Sequence, residues 1–473
     1  VSHVSSPIAD LVLFGWIPVI FLIFWYFPTR KAILVSFVAG WLFLPMAYYH
    51  FPGIPQYDKI SATCGGILLA TLVFDSKRIQ SLSYFPSIVD LPMLIWCLCP
   101  IATAYANDPE ISTKDGIQWA LEHAVSWGLP YLIGRIYFDR PEALRDLAKA
   151  VFIGGLIYTP LCLFEIRFSP ELHLILYGYH QHDFLQEVRL GGYRPLVFME
   201  HGLAVGMFMT CATLSGLWLW RTGALTKIFG MRVWAPLAVL AATTVLCKSM
   251  GALVFLGVGI ATLYTCKWMR TGLPLMLLML IPPLYVGERV FANYNGENLP
   301  ALLERVMQPD RIQSLMFRIG NEKQIAARAE QRFYMGWGGY GRPFISDGHG
   351  KTKYTPDSSW IISFGTYGAV GLVALLCLTL PVAMTFWRMP PDGWGDPRFA
   401  GVCVFGMLLI LYSMDNLLNS MVNPLFILGL GGLCGLARSG NTWKEPRIQA
   451  PVAPRALRFS THRSPQVAFS REI

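Results

Sequence analysis

The chain has 473 residues, of which 54% are hydrophobic and 14% charged, with a formal charge of +9 and a mean hydropathy of +0.45. That length would fit two or three soluble domains, but no polar stretch is long enough to build a second core, so the composition describes one polytopic membrane domain and excludes an ordinary soluble enzyme. The positive charge does not indicate nucleic acid, because the basic residues are divided among short loops flanking apolar runs, as membrane orientation requires.

In chain order, apolar runs approaching the ~20 residues that cross a ~30 Å hydrocarbon core predict helical spans near 8–27, 32–50, 60–75, 88–106, 116–137, 148–166, 196–220, 232–247, 250–267, 271–287, 359–386, 399–414 and 421–437. The expected fold is therefore all-α, a transmembrane bundle of about 12–13 spans with a long helical extracytoplasmic loop, occupying residues 1–437. The first run has no basic leader or small-residue cleavage site and reads as a span rather than a signal peptide; the missing initiator Met leaves the N-terminus open.

Loops at 29–31, 76–78, 135–149, 221–232, 267–270 and 388–398 fall on one side and carry about fifteen Lys and Arg, against about two in the loops near Tyr57, Asp108 and Asn416. That asymmetry puts the basic side in the cytoplasm, the N-terminus outside and the C-terminus inside. Residues 438–473 are basic and proline-rich and read as a disordered cytoplasmic tail. Ten single cysteines, with no C-x-x-C, read as small buried hydrophobes and argue for neither metal nor disulfides.

This topology brings the two longest loops, 167–195 and 288–357, to the extracytoplasmic face, together with the turn at Lys248 and the start of the span after Asp357. The first loop ends in Arg189 and Arg194, with Glu200 and His201 expected inside the span that follows. Ionisable groups at a span centre cost about 2.5–3.5 kcal/mol on insertion scales, so they face a cavity or a partner; a local Arg194–Glu200 ion pair is the structural alternative. Lys248 is either a snorkelling lysine or a substrate contact.

In the second loop, residues 310–335 are helix-compatible, and Arg311, Arg318 and Arg332 recur at intervals that share one face, with Arg328 a turn before Arg332. Such guanidinium clusters hold phosphoryl oxygens in bidentate fashion, although a solvated amphipathic helix has the same pattern. Asp357 precedes Ser-Ser-Trp and suits either an N-cap or a base beside the arginines. Glu122 and His123, in mid-span, read as a structural pair. No D-x-D, H-E-x-x-H, P-loop or nucleophile elbow is present.

Four blocks over about residues 185–437 carry a resemblance: GGYRPLVFMEHG at 191–202, CKSMGAL at 247–253, the Arg318 helix leading into GWGGYG at 336–341, and DSSWIISFGTYGAVGL at 357–372. In order and spacing around one long external loop, they resemble the bacterial O-antigen ligase and polysaccharide polymerase superfamily of integral membrane glycosyltransferases. Asp357 stands where the ligases carry a histidine, and Met250 stands where the family has an arginine. Lys248 is the nearby cation that would replace it, and His349 is the alternative base.

The resemblance implies transfer of a glycan from a polyprenyl-diphosphate carrier to a glycan acceptor at the outer face of the bacterial cytoplasmic membrane. It implies inversion at the anomeric carbon and neither metal nor cofactor. Asp357 would be the base, with Arg318 and Arg194 catalytic cations; Arg189, Lys248, Arg328, Arg332, Glu200, His201 and His349 would contact substrate. Expected partners are the lipid-linked donor, the acceptor and the bilayer, with a chain-length regulator as a further candidate. Polymerase is favoured over ligase-type transfer to a lipid core. The rival readings are a glycolipid or anion transporter and a scaffold for a synthesis complex.

Overall fold

The computed structural model describes residues 6–51, 53, 55–80, 86–108, 110–189, 191–291, 309–339, 341–344, 354 and 356–439. The side chains of Arg189 and Arg311, all of His349 and the predicted tail beyond Ser439 lie outside that description.

The apolar runs form helices because a helix satisfies its own backbone where no water is available. Helices α1 (Pro7–Tyr26), α2 (Thr29–Phe43) and α3 (Lys59–Phe74) make the first group. Ser6 caps α1 by accepting from the Ala9 amide, and Asp58 with Ser61 forms a capping box on α3. A short α4 (Ser76–Gln80) leads to α5 (Leu91–Ala106). Next, α6 (Thr113–His123) and α7 (Leu129–Tyr137) are joined through a π-helical turn ahead of Pro130, whose missing amide cannot continue the regular ladder.

The middle of the chain supplies α8 (Pro141–Arg167), the short α9 (Leu172–Tyr177), α10 (Gly202–Arg221), α11 (Trp234–Leu246), α12 (Met250–Met269), α13 (Leu273–Met279) and α14 (Ile281–Phe291). The polar loop folds as α15 (Pro309–Ala329). The last group is α16 (Ser359–Cys377), α17 (Leu380–Arg388), α18 (Ala400–Asp415) and α19 (Pro424–Ser439). Three two-residue hairpins are the strands of the described residues; one of them, β1 (Val188–Arg189) with β2 (Gly192–Tyr193), pairs Arg189 with Gly192.

Among the described residues, seven helical stretches are long and apolar enough to cross a membrane: Pro7–Tyr26, Ile88–Ala106, Pro141–Arg167, Gly202–Arg221, Met250–Met269, Leu273–Phe291 and Ser359–Arg388. Four shorter apolar helices accompany them, so the chain is a helical, multi-pass membrane bundle. The most enclosed of the long helices is α10, packed between α8, α11, α12 and α18. Small residues set its distances: Gly155 of α8 faces Ala212, and Gly216 receives the ring of Phe152. The tightest approach is between α7 and α19, where a β-carbon on Gly134 or Gly431 would fall 2.0 Å from a backbone oxygen of the other helix.

Two expectations are corrected. The span expected from residue 196 begins only at Gly202, because His201 is its N-cap, with Nδ1 accepting from the Leu203 amide at 3.0 Å. Glu200 and His201 therefore precede the helix rather than lying inside it. The run expected as one span over 359–386 is interrupted at Gly368, whose backbone (φ 64°, ψ −162°) is not helical.

Candidate functional site

A strap of residues 333–338 positions the site by docking into the interruption of α16. Breaking a helix frees carbonyls before the break and amides after it, and each must find a partner at an apolar depth. Here the carbonyls of Gly365 and Thr366 accept from the amides of Trp337 and Gly338, both at 2.9 Å. The amides of Ala369 and Val370 donate to the carbonyls of Phe333 and Tyr334 at 2.7 and 3.2 Å. The strap and helix touch backbone to backbone at Gly336 and Gly368, which accounts for one glycine in each of the two glycine-rich blocks.

The strap continues from α15, which is anchored by a buried network. Glu322 of α15 accepts from Tyr285 (2.8 Å), Ser358 (2.5 Å) and Trp360 (3.2 Å), and pairs with Arg289 at 3.5 Å. Both charged residues are buried. Removing one partner of such a pair costs about 3–5 kcal/mol. Glu322→Ala is therefore expected to lower the thermal midpoint of the detergent-solubilised protein clearly, a loss that Glu322→Gln should only partly share.

On this frame, Arg318 of α15 meets Asp357, the residue before the Ser358 N-cap of α16, with Nε 3.6 Å from Oδ2. The same guanidinium donates from Nη1 to the carbonyl of Leu418 (3.0 Å) and to Oδ1 of Asn419 (3.3 Å). Asn419 in turn donates to Asp415, the last residue of α18, at 2.7 Å. The start of α16 is tied to the same segment, since the Ser359 amide faces the carbonyls of Asn416 and Asn419. Asp357 is thus not the helix cap, and its carboxylate is free for the guanidinium. Arg318 and Asp357 remain about a third exposed, with 28% and 34% of their side chains accessible.

Burial pushes the Asp357 carboxyl above the ordinary aspartate range, and the neighbouring Arg318 draws it part of the way back. A raised value means that the folded state holds this proton more tightly than the unfolded chain. The stability it contributes is present at low pH and is lost as pH rises through the folded value.

A second group forms where the chain enters α10. Arg194 is buried, and its side chain lies with the carboxylate of Glu187 over Gly202, where no β-carbon would fit. The Arg194–Glu200 pair is thus not the local arrangement; Glu200 is exposed ahead of the helix. Lys248, between α11 and α12 at φ 53°, places its ammonium against Gly192 of the β1–β2 hairpin that also carries Arg189. The segment is held from below. Buried Glu165 of α8 accepts from the amides of Leu172, Leu196 and Val197 at 3.0, 2.7 and 2.7 Å. Buried Lys59 donates to the carbonyls of Trp41 (3.4 Å) and Phe198 (3.2 Å).

His182, Glu187 and His201 in this group offer ligand atoms within 4.8 Å of one another, a spacing a metal ion could use. The hydrogen bond of His201 opposes it. His201 accepts the Leu203 amide at Nδ1, which leaves the proton on Nε2, so ligation through either nitrogen would cost the cap. His182 is not prevented in the same way: its Nδ1 lies 3.3 Å from both the Asp183 carbonyl and the Glu187 carboxylate, a donor position that leaves Nε2 open.

The third group separates Arg328 and Arg332 from Arg318. Their guanidiniums lie over the ring of Trp337 at 4.2 and 4.5 Å. Arg332 donates to both oxygens of Glu110 at 3.1 Å, and Arg342 also pairs with Glu110. These two arginines hold the Glu110 carboxyl below its usual range.

The contacts therefore resolve the predicted cations into three groups. Sequence reasoning missed Asp415, Asn419, Glu110 and Glu322. For the first two a signal existed in Asp415-Asn416-Leu417-Leu418-Asn419, a polar cluster at the end of an apolar run.

No family model matches this chain, and no curated protein matches it in sequence.

Proposed function

We propose that this protein is a membrane glycosyltransferase that moves a glycan from a polyprenyl-diphosphate carrier onto an acceptor glycan at the extracytoplasmic face, extending a polysaccharide. The observation that carries this reading is the Arg318–Asp357 pair: a cation and a carboxylate from distant segments, 3.6 Å apart, partly open, at the end of an apolar bundle. Asp357 takes the proton of the acceptor hydroxyl as that oxygen bonds to the anomeric carbon of the donor sugar. The bond from that carbon to the diphosphate breaks, and Arg318 neutralises the charge that gathers on the leaving group. Attack from the face opposite the diphosphate inverts the centre. Arg194, which lies over the start of α10, and Lys248, just before α12, form a separate group and are the candidates for a second contact along the lipid-linked donor.

A lipid-linked substrate also needs an apolar bed. The exposed apolar faces of the spans supply it, since the cavity lined by Trp360, Leu375, Leu409, Tyr412, Phe426 and Leu430 beside Ser359 and Asn416 has only about 50 Å³, too little for an isoprenoid tail. Polymerisation is favoured over ligation because the base is a carboxylate where the ligases it resembles use histidine.

The test is incubation of purified protein with a lipid-linked repeat unit, followed by sizing of the product. A ladder supports polymerase and a single addition to a lipid core supports ligase. Movement of the lipid without a new glycosidic bond would overturn the reading in favour of transport. With a carboxylate of raised pKa as base, the acid limb of the rate profile should lie above the usual aspartate value. Replacing Arg318 by Gln should move the residual limb higher still, because the cation that lowers it is gone.

A further inference from the structure

We infer that the cleft between the end of α5 and the strap is a saccharide-binding subsite. It holds the acceptor glycan at a point several sugar units from its reacting end, and it rests on the transferase reading only in naming that glycan the acceptor. The cleft has a volume of about 460 Å³ and is lined by Asn107, Asp108, Glu110, Gln331, Arg332 and Tyr334, among others. Carboxylates, carboxamides and a guanidinium that converge in an open cleft present the mixed donors and acceptors that sugar hydroxyls need.

Two details point to a ligand of this class. Asn107 is 4% exposed and fixed by its amide, which donates to the carbonyls of Thr103 (2.8 Å) and Gly336 (3.1 Å). Its Oδ1, buried like the rest of the side chain, has no hydrogen-bond partner among the described residues, an unmet acceptor in the wall of the cleft. Tyr334 is 73% exposed at the cleft, an aromatic face in water where the C–H face of a pyranose can stack.

A diphosphate does not fit the same place. The Arg332 guanidinium is already bridged to both oxygens of Glu110, Arg342 also binds that carboxylate, and Asp108 adds a second negative group. The distance matters too. Arg332 lies fourteen residues beyond Arg318, roughly 20 Å at the rise of a helix, so a glycan in the cleft is remote from the bond being made.

The experiment measures binding of glucose, mannose and galactose tetrasaccharides to the full protein in nanodiscs, by calorimetry, with inorganic pyrophosphate as competitor. At least one tetrasaccharide should bind, Tyr334→Ala and Gln331→Ala should each weaken it about tenfold, near 1.4 kcal/mol, and pyrophosphate should not displace it. Arg318→Ala should bind as the unaltered protein does. In the transfer assay, Tyr334→Ala should raise the KM of long acceptors and leave that of short ones unchanged. Absence of binding by every tetrasaccharide, equal binding by both variants, or displacement by pyrophosphate would overturn the subsite. Binding of a tetrasaccharide without any transfer would retain the subsite and sink the transferase reading instead.

Discussion

Arg318→Ala is expected to insert into the membrane, to melt near the unaltered protein and to lose glycan transfer by about two to three orders of magnitude, the loss seen when one fixed charge-stabilising donor is removed from a reacting centre. The structural cost should be modest because the guanidinium is partly open to solvent and its ion pair with Asp357 is loose at 3.6 Å. The chemical cost is larger because Arg318 is held in place by Leu418 and Asn419 and aims at a charge that appears only as the diphosphate leaves. Arg318→Lys retains the charge and loses the fork, so partial activity is expected. Asp357→Asn keeps the size and removes the base. Product sizing with matched amounts of inserted protein checks all three, and a full-length polymer from Arg318→Ala would remove this residue from the mechanism.

Gly368→Ala should have the largest effect on the fold. Its dihedrals, φ 64° and ψ −162°, lie in a region open essentially to glycine, where another residue costs about 1–3 kcal/mol. The added β-carbon would stand 2.3 Å from the Tyr334 carbonyl oxygen and 2.6 Å from the Gly336 amide. The strap cannot yield cheaply, because moving it strands the four backbone groups it satisfies, each buried loss costing about 1–3 kcal/mol. Set against a total stability of about 5–15 kcal/mol, that predicts little folded protein by fluorescence-detected size exclusion. Gly257→Ala is the control: nothing lies within 4 Å of a β-carbon there, and that protein should behave normally.

The parts of the fold legible in the sequence are those governed by local pattern. Apolar length located the helices, and α15 was visible from its heptad-spaced arginines because helix periodicity is a property of neighbouring residues. That Asp357 lies on the same face as the arginine cluster was legible in the order of spans and loops, but which arginine reaches it was not; in the structure it is Arg318. What stayed hidden needed contacts across the chain. Arg332 was expected beside Arg318 because fourteen residues return to the same helical face, but α15 ends at Ala329 and Glu110 claims Arg332. Glu200 and His201 looked intramembrane only because the apolar run continues through residues 196–199, which instead form a turn bound to Glu165.

Sequence by itself determined that this is a helical multi-pass membrane protein, because burial in hydrocarbon is decided by the composition of each run. The tertiary structure alone decided where each charge finds its partner. It sent Arg318 to Asp357 and Asn419, Arg332 to Glu110, and Arg194 to the surface shared by Glu187 and Gly202. Such pairings depend on how helix ends are brought together, and that is set by glycine contacts such as Gly336 on Gly368, whose effect exists only once both segments are in place.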